Sequence, residues 1–171
     1  ADDLAEQPFG QVPSYKEGDV RLFESGAIVL HIAQRSDALM PSDPAGRARA
    51  LAWVIAAIDS VEKPLWNLVE INISGGAEWG RLRRPEVVDS IRRRLGQTSG
   101  WLGERDYLED RFTAGDLMMT TVLRILRETD LVAEHPNLAA YQARCEARPA
   151  FGRALEAQLA AFERHEPAEA A

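Results

Sequence analysis

The sequence predicts a mostly helical α+β protein, in which a strand hairpin and one helix precede an all-helical domain. Residues 11–23 alternate between apolar and polar side chains around a turn that contains Gly18, a pattern typical of a hairpin. Asp43 followed by Pro44 is a strong helix start, because the first residue can cap the helix and the second fits its first turn. Beyond Pro44, apolar residues recur at helical spacing.

These patterns divide the chain into two parts. Residues 37–43 are rich in turn-forming Ser, Asp and Pro, and we expect them to be a linker. Residues 1–36 then form the front domain, and residues 44–171 form the helical domain.

The composition indicates a soluble globular protein. The chain has 171 residues, and its 46% hydrophobic content is enough for a sizeable core. Its net charge of −7, from 20 Lys and Arg against 27 Asp and Glu, opposes attraction to nucleic acid or anionic membranes. The single cysteine excludes an internal disulfide, and the sequence has no cluster of Cys and His at metal-ligand spacing. We therefore expect no metal, no nucleic-acid partner and no membrane partner.

Neither a signal peptide nor a membrane span is evident in the sequence. The first residues lack a basic start and an apolar run, and no apolar stretch approaches the length needed to cross a bilayer. We therefore expect a cytoplasmic protein.

In the front domain, residues 12–15 and 20–23 are predicted to be strands. Ser25 is predicted to be the N-cap of a helix that runs to about Gln34. Two strands and one helix cannot bury themselves in water. The front domain is therefore expected to be incomplete.

In the helical domain, prolines mark most of the predicted elements. A long helix should follow Asp43 and be kinked by Pro64. Further helices are predicted to open at Pro85, Pro136 and Pro149. The last helix carries one apolar stripe, and the acidic tail behind it is expected to fray; the stripe consists of Phe151, Leu155, Leu159 and Phe162.

The sharpest local signal is the segment from Phe112 to Leu117. Thr113 can cap the amide of Asp116, while the Asp116 carboxylate can reach back to the Thr113 amide. Phe112 and Leu117 lie at the spacing of a hydrophobic staple. This capping box predicts a helix that extends to about Glu128.

Two segments of the front domain resemble the corresponding stretch of bacterial-type cytosolic glutathione transferases: Pro8-Phe9-Gly10-Gln11-Val12-Pro13 and Leu22-Phe23-Glu24-Ser25-Gly26-Ala27-Ile28. The long helix and the capping box also follow in the order and spacing of that family. The resemblance implies part of a thioredoxin-like glutathione-binding domain, followed by the all-α domain of the family.

The resemblance also implies a glutathione site. In the family, the proline that matches Pro13 is cis, and Val12 would then pair with the cysteinyl unit of glutathione through its backbone N–H and C=O. Glu24 would hold the ammonium of the γ-glutamyl end, and Ser25 its carboxylate. Gln11 would reach the glycine end. The alternatives are a trans proline that ends an edge strand, a solvated acid before an ordinary capped helix, and a solvated turn glutamine.

The catalytic residue is unknown. In the family it is a Ser, Tyr or Cys near the end of the first strand, and the resemblance implies that this strand and the next helix lie before residue 1. Ser14 and Tyr15 have suitable chemistry but follow Pro13, so they do not match that position.

The second substrate, an apolar electrophile, would lie between the two domains against the long helix and the capped helix. Core packing is the alternative, and the favoured one, for each candidate side chain. The candidates are Trp53, Ala57, Met118 and Met119.

Other conspicuous residues are interpreted as structural. His31 is expected to be a satisfied structural or surface histidine, and Cys145 a small buried hydrophobe. A basic stretch is expected to be a solvated face; it contains Arg81, Arg83, Arg84, Arg92, Arg93 and Arg94.

The resemblance therefore implies a glutathione transferase that acts in detoxification, with glutathione as co-substrate. The alternative is a non-catalytic module of the same fold that binds glutathione or another protein. The resemblance also implies a homodimer, with the Ser25 helix and the long helix at its interface.

Overall fold

A computed structural model describes residues 7–165, with two strands, seven α-helices, one π-helical segment and one 3-10 turn in that range. Strands β1 (Ser14–Glu17) and β2 (Val20–Phe23) pair in antiparallel fashion around Gly18 and Asp19. Gly18 has a φ of 55°, which favours glycine. The predicted hairpin is confirmed, although its first strand begins two residues later than expected.

Helix α1 spans Ser25–Ala33, and its N-cap residue is Glu24 rather than Ser25. The Glu24 carbonyl accepts the first helical hydrogen bond from the Ile28 amide at 3.0 Å, and no side chain caps the helix. The predicted N-cap at Ser25 was therefore wrong. The chain enters the helix through Glu24, whose φ is 68°, so that Ser25 is already the first helical residue.

Helix α2 (Pro44–Ile55) begins as predicted, since the Asp43 carboxylate accepts from the Gly46 amide at 2.7 Å. A π-helical segment (Ala56–Glu62) follows, and then helix α3 (Lys63–Ile73). Pro64 has no N–H, and its ring crowds the carbonyl four residues earlier. The turn ahead of it widens accordingly, so the predicted irregularity at Pro64 is confirmed.

Helix α4 spans Glu78–Leu102 and contains Pro85 in its interior. The prediction that this helix starts at Pro85 was therefore wrong. The break before α4 lies at Gly75 and Gly76, whose φ values are 63° and 84°. Pro85 is exposed, so water can solvate the carbonyl that its ring leaves without a partner.

Helix α5 (Ala114–Leu123) starts with the predicted capping box. It ends before the expected Glu128, because a 3-10 turn (Arg124–Leu126) replaces its last part. Helices α6 (Pro136–Glu146) and α7 (Pro149–His165) confirm the starts predicted from their prolines. The predicted frayed tail lies outside the described residues.

The core lies in the helical domain. The largest fully buried side chains come from α2 to α6 and the segments between them, led by Tyr141, Leu65, Ile91 and Leu95. The linker is tied to this core, since the Ala114 amide donates to the Leu39 carbonyl at 2.8 Å. No helix within the described range is long and apolar enough to cross a membrane.

Candidate glutathione site

The hairpin brings two of the predicted site segments together. Ser14 pairs with Phe23 in the antiparallel register. This is the last pair at this end of the hairpin, so Pro13 and Glu24 lie directly beyond it along the chain, with Val12 and Ser25 one residue further. Both segments therefore leave the sheet at the same end, where α1 begins.

The Val12–Pro13 peptide bond is cis, as the resemblance implied. Val12 is 93% exposed. Within residues 7–165, neither its N–H nor its C=O takes part in a hydrogen bond. The backbone of Val12 is thus available for strand-like pairing with an extended peptide.

Gln7 organises the loop before Val12, a role that no pattern in the sequence indicates. Its side chain is only 5% exposed, and its Oε1 accepts from the Phe9 amide at 2.6 Å. Its carbonyl accepts from the Gly10 amide at 3.1 Å. The Phe9 ring meets Phe23 edge-on at 6.0 Å, which joins the loop to β2.

Glu24 lies exposed at the junction between β2 and α1. Its φ of 68° and ψ of 117° form a conformation that is rare for a residue other than glycine. Such strain clusters at ligand sites. The first-turn N–H groups of α1, beginning at Ser25, have no helical partners. A free carboxylate and free amides therefore stand side by side, as a zwitterionic ligand end requires.

The far end of the hairpin carries a separate charged cluster. Glu17 contacts Arg35 and also His31, whose Nε2 lies 3.4 Å from its carboxylate. The hydrogen bond from Arg35, and secondly the one from His31, lowers the pKa of Glu17. Glu17 pairs with Val20 next to the turn, so this cluster is remote from Val12 and Glu24.

The residues predicted for the electrophile pocket do not form one group. Ala57, Met118 and Met119 are 0 to 4% exposed and belong to the hydrophobic core. Trp53 is half-buried; its Nε1 donates to Glu109 at 2.9 Å, and its ring lies 5.4 Å from that of Trp101. Helix packing places Ala57, Met118 and Met119 inside the domain, so these side chains belong to the core, as the favoured alternative held.

A cavity of about 850 Å³ lies elsewhere. The linker, α5 and α7 line it, including Leu39, Leu117 and the predicted stripe from Phe151 to Phe162. It lies beyond the C-terminal end of α1, whereas Glu24 lies at the other end. The nine residues of α1 separate the two ends by about 13 Å, so this cavity does not adjoin the candidate glutathione groups.

Asp116 is a structural cap. Its carboxylate accepts from the amides of Thr113 and Leu108 at 2.8 and 2.9 Å, and from the hydroxyls of Thr113 and Tyr141 at 3.1 Å. Burial raises the pKa of Asp116, although these hydrogen bonds oppose the shift. Cys145 lies beside this cluster, and burial raises the pKa of its thiol, as expected for an unreactive buried cysteine.

The basic stretch on α4 is exposed, as expected of a solvated face. Arg92 donates to Glu134 at 2.8 Å, and Arg84 donates to Asn72 at 2.7 Å. Among the described residues, no group of three His, Cys, Asp or Glu could hold a metal ion.

Comparison with known proteins gives consistent matches. Residues 82–149 match the family model described as glutathione S-transferase, C-terminal domain. A glutathione S-transferase of Hyoscyamus muticus is 30% identical over 168 residues, which cover 87% of this chain and 76% of that protein. Glutathione S-transferase F11 of Arabidopsis thaliana is 33% identical over 178 residues, which cover 93% of this chain and 79% of that protein.

Solved structures agree with these matches. Poplar glutathione transferase F1 superposes with a TM-score of 0.83 at 24% identity, covering 94% of this chain and 79% of that one, which supports the fold alone. BphK, a bacterial GST in a ternary complex, superposes with a TM-score of 0.80 at 27% identity, covering 92% of this chain and 79% of that one. A Burkholderia graminis glutathione transferase with two glutathione molecules bound per subunit superposes with a TM-score of 0.78 at 27% identity. The match covers 90% of this chain and 70% of that one.

Proposed function

Because the chain belongs to the glutathione S-transferase family, we propose that it is a glutathione transferase that binds glutathione and promotes attack of its thiol on an apolar electrophile. The observation that carries this proposal is the meeting of Val12, Glu24 and Ser25 at one end of the hairpin.

Each group in the proposed site has one chemical task. The Val12 N–H and C=O pair with the cysteinyl unit, as an added strand would. Glu24 binds the γ-glutamyl ammonium, while the Ser25 hydroxyl and the first amides of α1 bind its carboxylate. Gln11, exposed in the loop before Val12, reaches the glycine end. Fixing both ends of the tripeptide places the thiol and lowers the entropic cost of the reaction.

Activation of the thiol needs a further group. A free thiol has a pKa of about 8.5, and the thiolate is the nucleophile. Within the described residues, β1 pairs only with β2. We propose that the first strand of the family supplies this group with its Ser, Tyr or Cys. A chain without that strand would be a non-catalytic glutathione-binding module, which is the alternative function.

We further propose that the protein is a bacterial-type glutathione transferase that forms a homodimer in the cytoplasm. The similarity to BphK supports the bacterial type. Large apolar side chains on α1 and α2, the helices expected at the interface, support the dimer: Ile32, Leu51 and Ile55 are 43%, 46% and 47% exposed. Association would remove this apolar area from water.

Titration calorimetry with glutathione tests the proposed site. We expect Glu24→Ala to weaken binding by about 1.5 to 3 kcal/mol, the range for a hydrogen bond to a charged group. Glu86→Ala is the matched control, because Glu86 is exposed on α4, away from the hairpin, and should bind as the wild type does. An unchanged dissociation constant for Glu24→Ala would remove Glu24 from the site.

A further inference from the structure

The first turn of α1 packs directly on the long helix that α2, the π-helical segment and α3 form together. Gly26 is buried, and a Cβ atom at this position would lie 2.8 Å from Ile58 Cδ1 and 3.7 Å from Val54 Cγ1. Val54 is fully buried, and Ile58 is partly buried against the core. Only a glycine lets the helix start approach Ile58 this closely.

Ile58 lies in the π-helical segment Ala56–Glu62. Such wide turns occur mostly as short interruptions of α-helices, frequently at functional sites. Here the interruption follows from Pro64, which cannot continue the regular hydrogen-bond ladder. The side chain under the start of α1 therefore belongs to the irregular part of the long helix.

The start of α1 has no side-chain cap. Glu24 makes no side-chain capping hydrogen bond, whereas α2 and α5 are both capped by side chains. Packing supports the first turn instead, because Gly26 lies against Ile58 and Val54 and Ile28 is buried. The same turn carries the amides that receive the γ-glutamyl carboxylate in the proposed site.

We infer that Ile58 is a positioning residue for glutathione, which acts by setting where the free amides of Ser25 and Gly26 point. This inference rests on the proposed function. Ile58 itself does not touch the ligand. Through its contact with Gly26, the position of Ile58 determines where the first turn of α1 lies, and with it the amides of the γ-glutamyl subsite.

Calorimetric titration of glutathione into four proteins tests the inference. Gly26→Ala places a methyl group against Ile58 Cδ1, and we expect the dissociation constant to rise about fivefold, or about 1 kcal/mol, as the first turn is displaced. Ile58→Val removes that Cδ1 atom. The double variant Gly26→Ala with Ile58→Val should therefore bind within about twofold of the wild type. Ile58→Val alone loses the contact with Gly26 and should bind more weakly than both the wild type and the double variant.

Two controls separate positioning from stability. Gly100→Ala is the same substitution in α4, where an added Cβ would have nothing within 4 Å, and it should leave the affinity unchanged. Alanine also favours helix over glycine, so a weaker helix cannot explain an affinity lost by Gly26→Ala. Thermal unfolding of each variant records stability independently.

Wild-type affinity in Gly26→Ala would overturn the inference. So would a double variant that binds no better than Gly26→Ala, including one whose stability returns without its affinity. A wild-type protein that binds no glutathione would overturn the proposed function itself, and the positioning role with it.

Discussion

At position 116, one carboxylate holds three segments of the helical domain together. Asp116 accepts from Thr113 at the start of α5, from Leu108 in the preceding loop and from Tyr141 on α6. The Leu108 carbonyl in turn accepts from Trp101 Nε1 at 2.7 Å. Removing the carboxylate leaves several buried donors unpaired, each at a cost of about 1 to 3 kcal/mol.

We expect Asp116→Ala to lower the free energy of unfolding by about 3 kcal/mol or more, without changing glutathione affinity. Asp43→Ala is the control, since this exposed cap accepts a single 2.7 Å hydrogen bond and should cost about 1 kcal/mol. Chemical denaturation measures both. Full stability with lost activity in Asp116→Ala would mean that a functional group had been mistaken for a cap.

The raised pKa of Asp116 adds a pH dependence. A carboxyl group whose pKa is higher in the folded state than its ordinary value of 3.8 stabilises the fold most when protonated, and the contribution is lost as the pH rises through the folded pKa. The stability difference between wild type and Asp116→Ala should therefore be larger near pH 4 than at pH 8. A difference that grows with pH would contradict the raised pKa.

At this scale, local motifs were predictable and contacts set by packing were not. The Thr113–Asp116 box and the Asp43 cap follow from neighbouring residues, so the sequence predicts them well. The N-cap was misplaced at Ser25 because the positive φ of Glu24 has no signature in a single sequence. Gln7 was missed for a similar reason, since its role depends on how the loop folds back.

Among the elements, the closest packing joins α2 and α5. A Cβ atom on Gly115 would lie 2.4 Å from Trp53 Cβ and 3.5 Å from the Ala50 carbonyl oxygen. These atoms belong to backbone or to its first side-chain carbon, so they cannot move away alone. Gly115 thus sets the distance between the two helices that carry much of the core.

We expect Gly115→Ala to destabilise the protein by about 1 to 3 kcal/mol through overpacking. Gly152→Ala is the matched control, because nothing lies within 4 Å of a Cβ atom there. That change in α7 should be neutral or stabilising by up to about 1 kcal/mol. Equal thermal stability of the two variants would mean that α2 and α5 can separate at little cost.

Two prolines show how far element boundaries follow from sequence. Pro64 interrupts the regular helix, whereas Pro85 lies inside α4 on an exposed face. Pro64 was expected to kink a helix and Pro85 to start one, but the glycine pair at 75 and 76 already provides the break before α4. The burial of Ala57, Met118 and Met119 was likewise left open, because helical spacing alone cannot tell a core face from a pocket wall.

For the whole molecule, the front part places the site and the helical domain supports it. The segments that carry Val12 and Ser25 leave the same end of the hairpin, and α1 packs on Val54 and Ile58 through Gly26. The large cavity along α7 lies at the opposite end of α1. Glutathione should therefore bind at the hairpin end and leave the cavity unaffected.

Amide chemical shifts recorded by NMR during a glutathione titration test this claim most directly. We expect the largest changes at Val12 and at Glu24 to Gly26, with smaller changes at Ile58. Amides along the cavity, such as those of Leu155 and Leu159, should not shift. Changes concentrated along α7, or no change at the hairpin end at saturating glutathione, would contradict it.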